Sequence, residues 1–329
     1  MKPTKYFYAM YIFLFMYCNA IYSQQLYINE VQSSNQNTIR DEDNETSDWL
    51  EIFNPNQTDV NLNNYSITDD KQELRKWTFP DIVLKSNSYL LVFASDKNRK
   101  PTSIGWQTII NKGDNWKYKI FNSEPPTDWK NIGYNDLNWQ SGPSGFGFGD
   151  GDDATIVNNT VSLYLRKTFT ITDTSSIGDA LLHIDYDDGF VAYLNGVELT
   201  RKNLGNPGTF VPYNKTTDDY YEAQMYQGGK PYEFRLNDLH NLIKQGENVL
   251  AIQVHNQSIN SSDLTLIPFF TIGYNYSIPD SLNISTLLGT SLPKLHANFK
   301  ISSSGENLFL TNPNNNIIDS LFVPSLVSD

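Results

Sequence analysis

A single cysteine in 329 residues, Cys18, leaves no partner for an internal disulfide. Stability must then come from apolar cores or bound ions. Basic residues are scarce too, with 24 Lys and Arg against 37 Asp and Glu and a net charge of −13. Nucleic-acid backbones and anionic membranes both require a basic face, so neither is expected as a partner. No His-Glu-x-x-His pair is present, and Ser144 lies in Gly142-Pro-Ser-Gly-Phe146 rather than a Gly-x-Ser-x-Gly elbow. The glycine-rich stretch from Gly145 to Asp153 lacks a following Lys-Ser/Thr and carries three carboxylates, which would repel a phosphate. No catalytic constellation emerges, and the expectation is a chain that is not an enzyme.

Asn, Ser, Thr, Gly and Tyr are abundant, while long Ala/Leu/Glu/Lys runs are missing. That balance predicts an all-β chain rich in turns. Lys2 and Lys5 precede an apolar run, Tyr6 to Tyr17, too short to cross a bilayer but suited to an export signal. Ile21-Tyr22-Ser23 places cleavage after Ser23, and Tyr17 before Cys18 argues against lipidation. Residues 1–23 are thus expected to be a signal peptide. The mature chain is expected to be cysteine-free, without membrane insertion, and secreted or held at the cell surface.

The central stretch runs from Asp185 to Leu199. Asp188-Gly189 and Asn195-Gly196 are two-residue turn signals, because type I′ turns need positive φ at their central positions. Between them Phe190, Ala192 and Leu194 fall on one face and Val191 and Tyr193 on the other. This predicts strand, turn, strand, turn, strand in one antiparallel sheet. Leu239, Leu242 and Ile243, behind Asn237 and ahead of Gly246, predict one short helix.

Ile28-Asn-Glu-Val31, Asp48-Trp-Leu-Glu-Ile-Phe-Asn-Pro55, Tyr65-Ser-Ile-Thr-Asp-Asp70 and Tyr89-Leu-Leu-Val-Phe-Ala-Ser-Asp96 resemble the bacterial lamin-tail domain. That resemblance implies an immunoglobulin-like β-sandwich. In the family the last of these strands continues into a Leu-His-x-Asn-Phe-Lys pattern with Gly-Glu after it. Here that continuation comes only at Leu295-His-Ala-Asn-Phe-Lys-Ile-Ser-Ser-Ser-Gly-Glu306. The implied organisation is one lamin-tail domain, 24–100 with 292–329, interrupted by an insert over 101–280. The insert carries Trp116-Lys-Tyr118, Gly145-Phe-Gly-Phe-Gly-Asp-Gly-Asp152, Asp187-Asp-Gly189, Asn248-Val-Leu-Ala251 and Ser261-Ser-Asp263. In that order these are similar to galactose-binding-like jelly-roll modules of secreted bacterial proteins. Lamin-tail domains usually run on into one further strand after the counterpart of Asp329, and often precede a CotH-type kinase or another large domain.

Asp150, Asp152 and Asp153 crowd the glycine-rich loop and are candidate Ca²⁺ ligands, the alternative being a solvated acidic turn. An EF-hand is excluded by Thr155 and Val161 at its sixth and twelfth positions. Asp185, Asp187 and Asp188 read as a turn, an ion or ligand contact, or a glycosidase carboxylate pair, in that order. His183, His240, His255 and His296 form no close metal pair, although His183 and His255 lie on predicted strands that can meet. Trp106, Trp116, Trp129 and Trp139 are candidates for stacking on a ligand, but Trp116, Trp129 and Trp139 lie where the resembled module packs its own core, which is the expectation for those three. Tyr213, Tyr220, Tyr221, Tyr226 and Tyr232 lie in a polar loop suited to stacking on sugars.

Taken with the resemblance, this implies a non-catalytic adhesion or targeting array whose jelly roll contacts glycan or a cell-surface protein. The contacts would come from loops at one end, with Asp187, Asp188, Arg201 and Tyr213 as candidates. Two alternatives stand beside it: the accessory part of a secreted enzyme, and a purely structural spacer.

Overall fold

Within Asp48–Asn54, buried and half-exposed side chains alternate from Leu50 to Asn54, as expected of a strand with one face on a core. The computed structural model describes residues 25–236, 239–278, 284–289 and 292–325. The expected signal peptide, 1–23, and the expected Asn237 cap lie outside these. The described residues are almost entirely β, in two sandwiches with separate cores.

In the first sandwich, Tyr27–Gln32, Asp48–Asn54, Ser88–Ala94 and His296–Ala297 form a four-stranded sheet. The last strand joins in parallel, His296 against Phe93 and Ala297 against Ala94. A facing sheet contains Ile317–Val323, Glu306–Thr311, Ser66–Thr68 and Trp77–Thr78. Leu50, Ile52, Ile67, Trp77, Val92, Phe299 and Leu308 fill the space between, so residues 26–94 and 295–323 share one core.

The second sandwich has two six-stranded sheets. One runs Gln140–Pro143, Asn115–Lys119, Ser162–Ile171, Gly246–His255, Gly189–Leu194, Val197–Lys202. The other centres on Leu264–Tyr274 and Ile177–Asp187, which pair antiparallel over most of their length. Gly105–Ile110 also pairs with Leu264–Tyr274. Phe190, Ala192 and Leu194 enter the core between the sheets, with Ile252, Val254, Leu266 and Phe270. Val191 and Tyr193 face the other way, under a second apolar layer with Trp129, Trp139, Tyr164 and Ala251. The period-two split therefore holds, but both faces are buried.

Asn195 and Gly196 have φ of 54° and 93° and close the hairpin between Gly189–Leu194 and Val197–Lys202, as their turn chemistry requires. Asp188-Gly189 is not a hairpin. Neither residue has positive φ, and the strands on either side of it belong to different sheets. The Asp188 amide donates to the His255 carbonyl, while a Cβ on Gly189 would lie 2.8 Å from the Lys202 carbonyl oxygen and 2.8 Å from Thr217 Cγ2. Glycine is there to let strands approach at a sheet-to-sheet crossing, not to turn a corner. The expected short helix is a single 3₁₀ turn, Leu239–Asn241, with Leu239 and Ile243 buried.

Gly189→Ala forces that contact apart and is expected to cost about 1–3 kcal/mol, the range for overpacking a tight site. Urea denaturation with the midpoint compared at equal slope reads it directly.

Candidate functional site

The crossing delivers carboxylates into the protein. Asp185, Asp187 and Asp188 are 1%, 3% and 3% exposed. Asp185 accepts the Gln224 and Met225 amides, each at 2.8 Å, one on each oxygen. Asp188 accepts the Tyr221 amide at 3.1 Å and the Gln257 amide at 2.8 Å. These two side chains act as anchors that hold the 221–225 and 257 backbone against the sheet. With both its oxygens on backbone amides, Asp185 is not placed as half of a glycosidase pair.

Asp187 is different. Among the described residues no N–H group or hydroxyl donates to it, and its neighbours are acids. Burial, then Asp188 and Asp263, push its carboxyl up to about 9. Beside it, carboxylate oxygens of Asp150, Glu222 and Asp263 all lie within 4.8 Å of one another. Asp150 accepts from the Thr265 hydroxyl at 3.2 Å, but its Oδ1 is buried without a partner. Asp153 Oδ1 and both oxygens of Asp152 are also buried and unpartnered. Burial, Asp152 and Asp150 raise the Asp153 carboxyl to about 7, against the pull of Lys112. The glycine-rich loop reaches this position because it lies flat on its neighbour: a Cβ on Gly147 would sit 1.8 Å from the Leu264 carbonyl oxygen.

Of the three loop aspartates expected to share an ion, only Asp150 belongs to the three-carboxylate group. Glu222 and Asp263 come from distant loops, and nothing local marks Glu222 in the sequence. Another acidic group, Asp41, Asp43 and Glu45, is closed by Lys97, whose ammonium reaches all three.

Nor do Asp187, Asp188, Arg201 and Tyr213 form one contact surface. No hydrogen bond or ion pair joins the two aspartates to Arg201 or Tyr213 among the described residues. Arg201 forks onto Glu198 at 2.7 and 2.6 Å and also donates to Leu204 O, Thr209 O and Thr209 Oγ1. It is a buried clamp on the 198–209 loop, its donors occupied. Tyr213 packs against the Trp129–Trp139 layer, and its amide donates to Glu124. His183 and His255 sit in different sheets. His183 lies by Glu233, while His255 bonds Lys215 O and is held down to about 4 by burial.

A cleft that the sequence did not mark lies on the outer face of the first six-stranded sheet. Its volume is about 330 Å³ and its walls include Trp129, Tyr164, Tyr193 and Phe210, with Lys130, Glu198 and Gln253. Trp116, Trp129 and Trp139 are buried as expected of core, yet Trp129 also borders this cleft. Phe210 is 69% exposed. Lys130 Nζ lies 4.3 Å from the Tyr193 ring centre, and Gln253 donates to Tyr193 Oη at 3.2 Å. Tyr164 lines the cleft, but its hydroxyl is fully buried. None of the loop tyrosines 213, 220, 221, 226 and 232 borders it.

The Lamin Tail Domain family matches residues 20–176. No curated protein matches the sequence. Among solved structures, a β-glucuronidase of an uncultured Clostridium species is 12% identical with a TM-score of 0.32, covering 63% of this chain and 33% of that one. A glycosyl hydrolase family 2 member from Bacteroides cellulosilyticus is 10% identical with a TM-score of 0.34, covering 67% and 36%. Bacteroides uniformis β-glucuronidase is 15% identical at 0.33, covering 62% and 22%. The chain thus spans about a third or less of the length of these enzymes, and likeness at this level says nothing of what it binds.

A carboxyl raised in the folded state binds more protons folded than unfolded between its two pKa values, so its contribution to stability falls as pH rises. For Asp187 that window runs from the ordinary aspartate range up to about 9. In excess chelator, wild type is expected to lose stability relative to Asp187→Asn between pH 5 and pH 9, as read by thermal melts of the two proteins across that range.

Proposed function

We propose that the chain is an exported, non-catalytic binding array, a lamin-tail-like sandwich (24–100 with 292–329) interrupted by a galactose-binding-like jelly roll (101–280), which contacts glycan. The observation that carries this is the cleft floored by Trp129, Tyr164 and Tyr193 and overhung by Phe210. Aromatic faces cover the C–H faces of a pyranose, and a few fixed polar groups orient its hydroxyls. Gln253 and Lys130 supply that set here. The loop-end contacts Asp187, Asp188 and Arg201 are not part of this reading, because their oxygens and donors serve the fold or face other acids.

A glycan array probed with the mature chain tests the reading, and silence across neutral and acidic glycans sinks it. For any glycan that binds, Phe210→Ala is expected to weaken affinity about tenfold, roughly 1.4 kcal/mol. Lys130→Met keeps the aliphatic stem and removes the ammonium at the cleft, so urea stability is expected to change by less than about 1 kcal/mol while glycan affinity drops. A Lys130→Met protein that binds as tightly as its parent would move the site elsewhere.

A further inference from the structure

The aromatic cleft holds a positive charge that nothing in its wall neutralises. Two charged side chains line it, Lys130 and Glu198. Glu198 is fully engaged: Arg201 forks onto its two oxygens at 2.7 and 2.6 Å, and the Gly208 amide adds a bond at 3.0 Å. Arg201 is engaged in turn, its N–H groups going to Glu198, Leu204 O and Thr209. Together they form a closed ion pair with no net charge to offer a ligand.

Lys130 is the opposite case. It is half-buried, its ammonium lies 4.3 Å from the Tyr193 ring centre, and it makes no hydrogen bond or ion pair among the described residues. The ring face fixes where the cation stands but supplies no counter-ion. Burial holds the ammonium below the ordinary lysine value, with Glu198 pulling the other way and Arg201 adding to the depression. Glu124 acts from outside the lining, adding to the burial that raises the Tyr164 hydroxyl above an ordinary tyrosine. A cation partly removed from water and short of an anion favours a ligand that brings one.

We propose that the cleft selects an acidic sugar, whose single negative charge meets the Lys130 ammonium while the aromatic walls cover its C–H surfaces. This rests on the glycan-binding reading and narrows it to a substrate class. A ring carboxylate, as in a uronic acid, and a sulfate ester both supply that charge. At about 330 Å³ the cleft suits about one or two sugar rings rather than a long chain. The chain as a whole carries −13, which opposes any general attraction of acidic polysaccharide. A preference for acid must therefore come from this one local charge.

Binding of the mature chain to matched pairs tests the proposal: oligogalacturonates against their methyl esters, and lactose against its sialylated and sulfated forms. The acidic member is expected to bind about tenfold more tightly than its neutral partner, an advantage that fades as NaCl is raised. The carboxylate and sulfate arms show which anion is preferred. Lys130→Met is expected to bring the acid-to-neutral ratio close to one, and Lys130→Arg to retain it. Glu124→Gln removes a like charge and is expected to tighten the acidic member alone. Neutral glycans that bind as tightly as acidic ones overturn the acid preference and leave the glycan-binding cleft standing. An unchanged ratio in Lys130→Met, whether or not overall affinity falls, overturns it too, because the lysine then serves packing only. Silence across every pair overturns both readings together.

Discussion

Burial of three aspartates at one sheet-to-sheet crossing is the constraint on which the second sandwich depends. The chain leaves one six-stranded sheet at Asp187 and enters the other at Gly189. Asp185 and Asp188 resolve their own burial by collecting four backbone amides, and in doing so they fix the 221–225 loop and Gln257. Charge-assisted bonds of this kind rank among the stronger ones a fold can make. Asp187 is left as the remainder, a buried acid surrounded by acids. The same crossing therefore produces order in two loops and an electrostatic deficit between them.

Sidedness explains the other candidate site. The outer face of the Ser162–Ile171, Gly246–His255 and Gly189–Leu194 sheet is not left to solvent but roofed by Trp129, Trp139 and Val211. The roof is incomplete over Tyr164 and Tyr193, and the Glu198–Arg201 clamp fixes the loop that carries Phe210 beside the gap. An aromatic layer that fails to close over itself leaves apolar surface with polar edges, which is the character of a small-ligand site.

Much of the fold was legible because it is local. The alternation from Phe190 to Leu194 sorts residues between two faces whatever lies against them, and Asn195-Gly196 states its own φ requirement. Asp188-Gly189 misleads because its role is set by Lys202 and Thr217 across space, not by the dipeptide. Residues three apart on a regular strand point to opposite faces, so sequence spacing does not mark Glu198 as a partner of Arg201. A register shift between Ala192 and Tyr193 adds one residue to the facing strand, and Glu198 meets Arg201 after all. Asp150 was visible beside its glycines, whereas Glu222 and Asp263 become partners only through tertiary convergence. The cleft is the same case, assembled from residues between 125 and 253 that share no pattern.

The shared core of the first sandwich has a temporal meaning. Ser88–Ala94 waits for its parallel neighbour His296–Ala297 about two hundred residues later, and entropy opposes closing so long a loop early. The second sandwich shortens that wait, because Gly105 pairs with Tyr274 and so its own entry and exit stand side by side. Once it has folded, the intervening chain acts as a short tether rather than a long coil. On a chain that emerges from its N-terminus, the half begun first is completed last, and the central sandwich serves as the template that brings its two edges together.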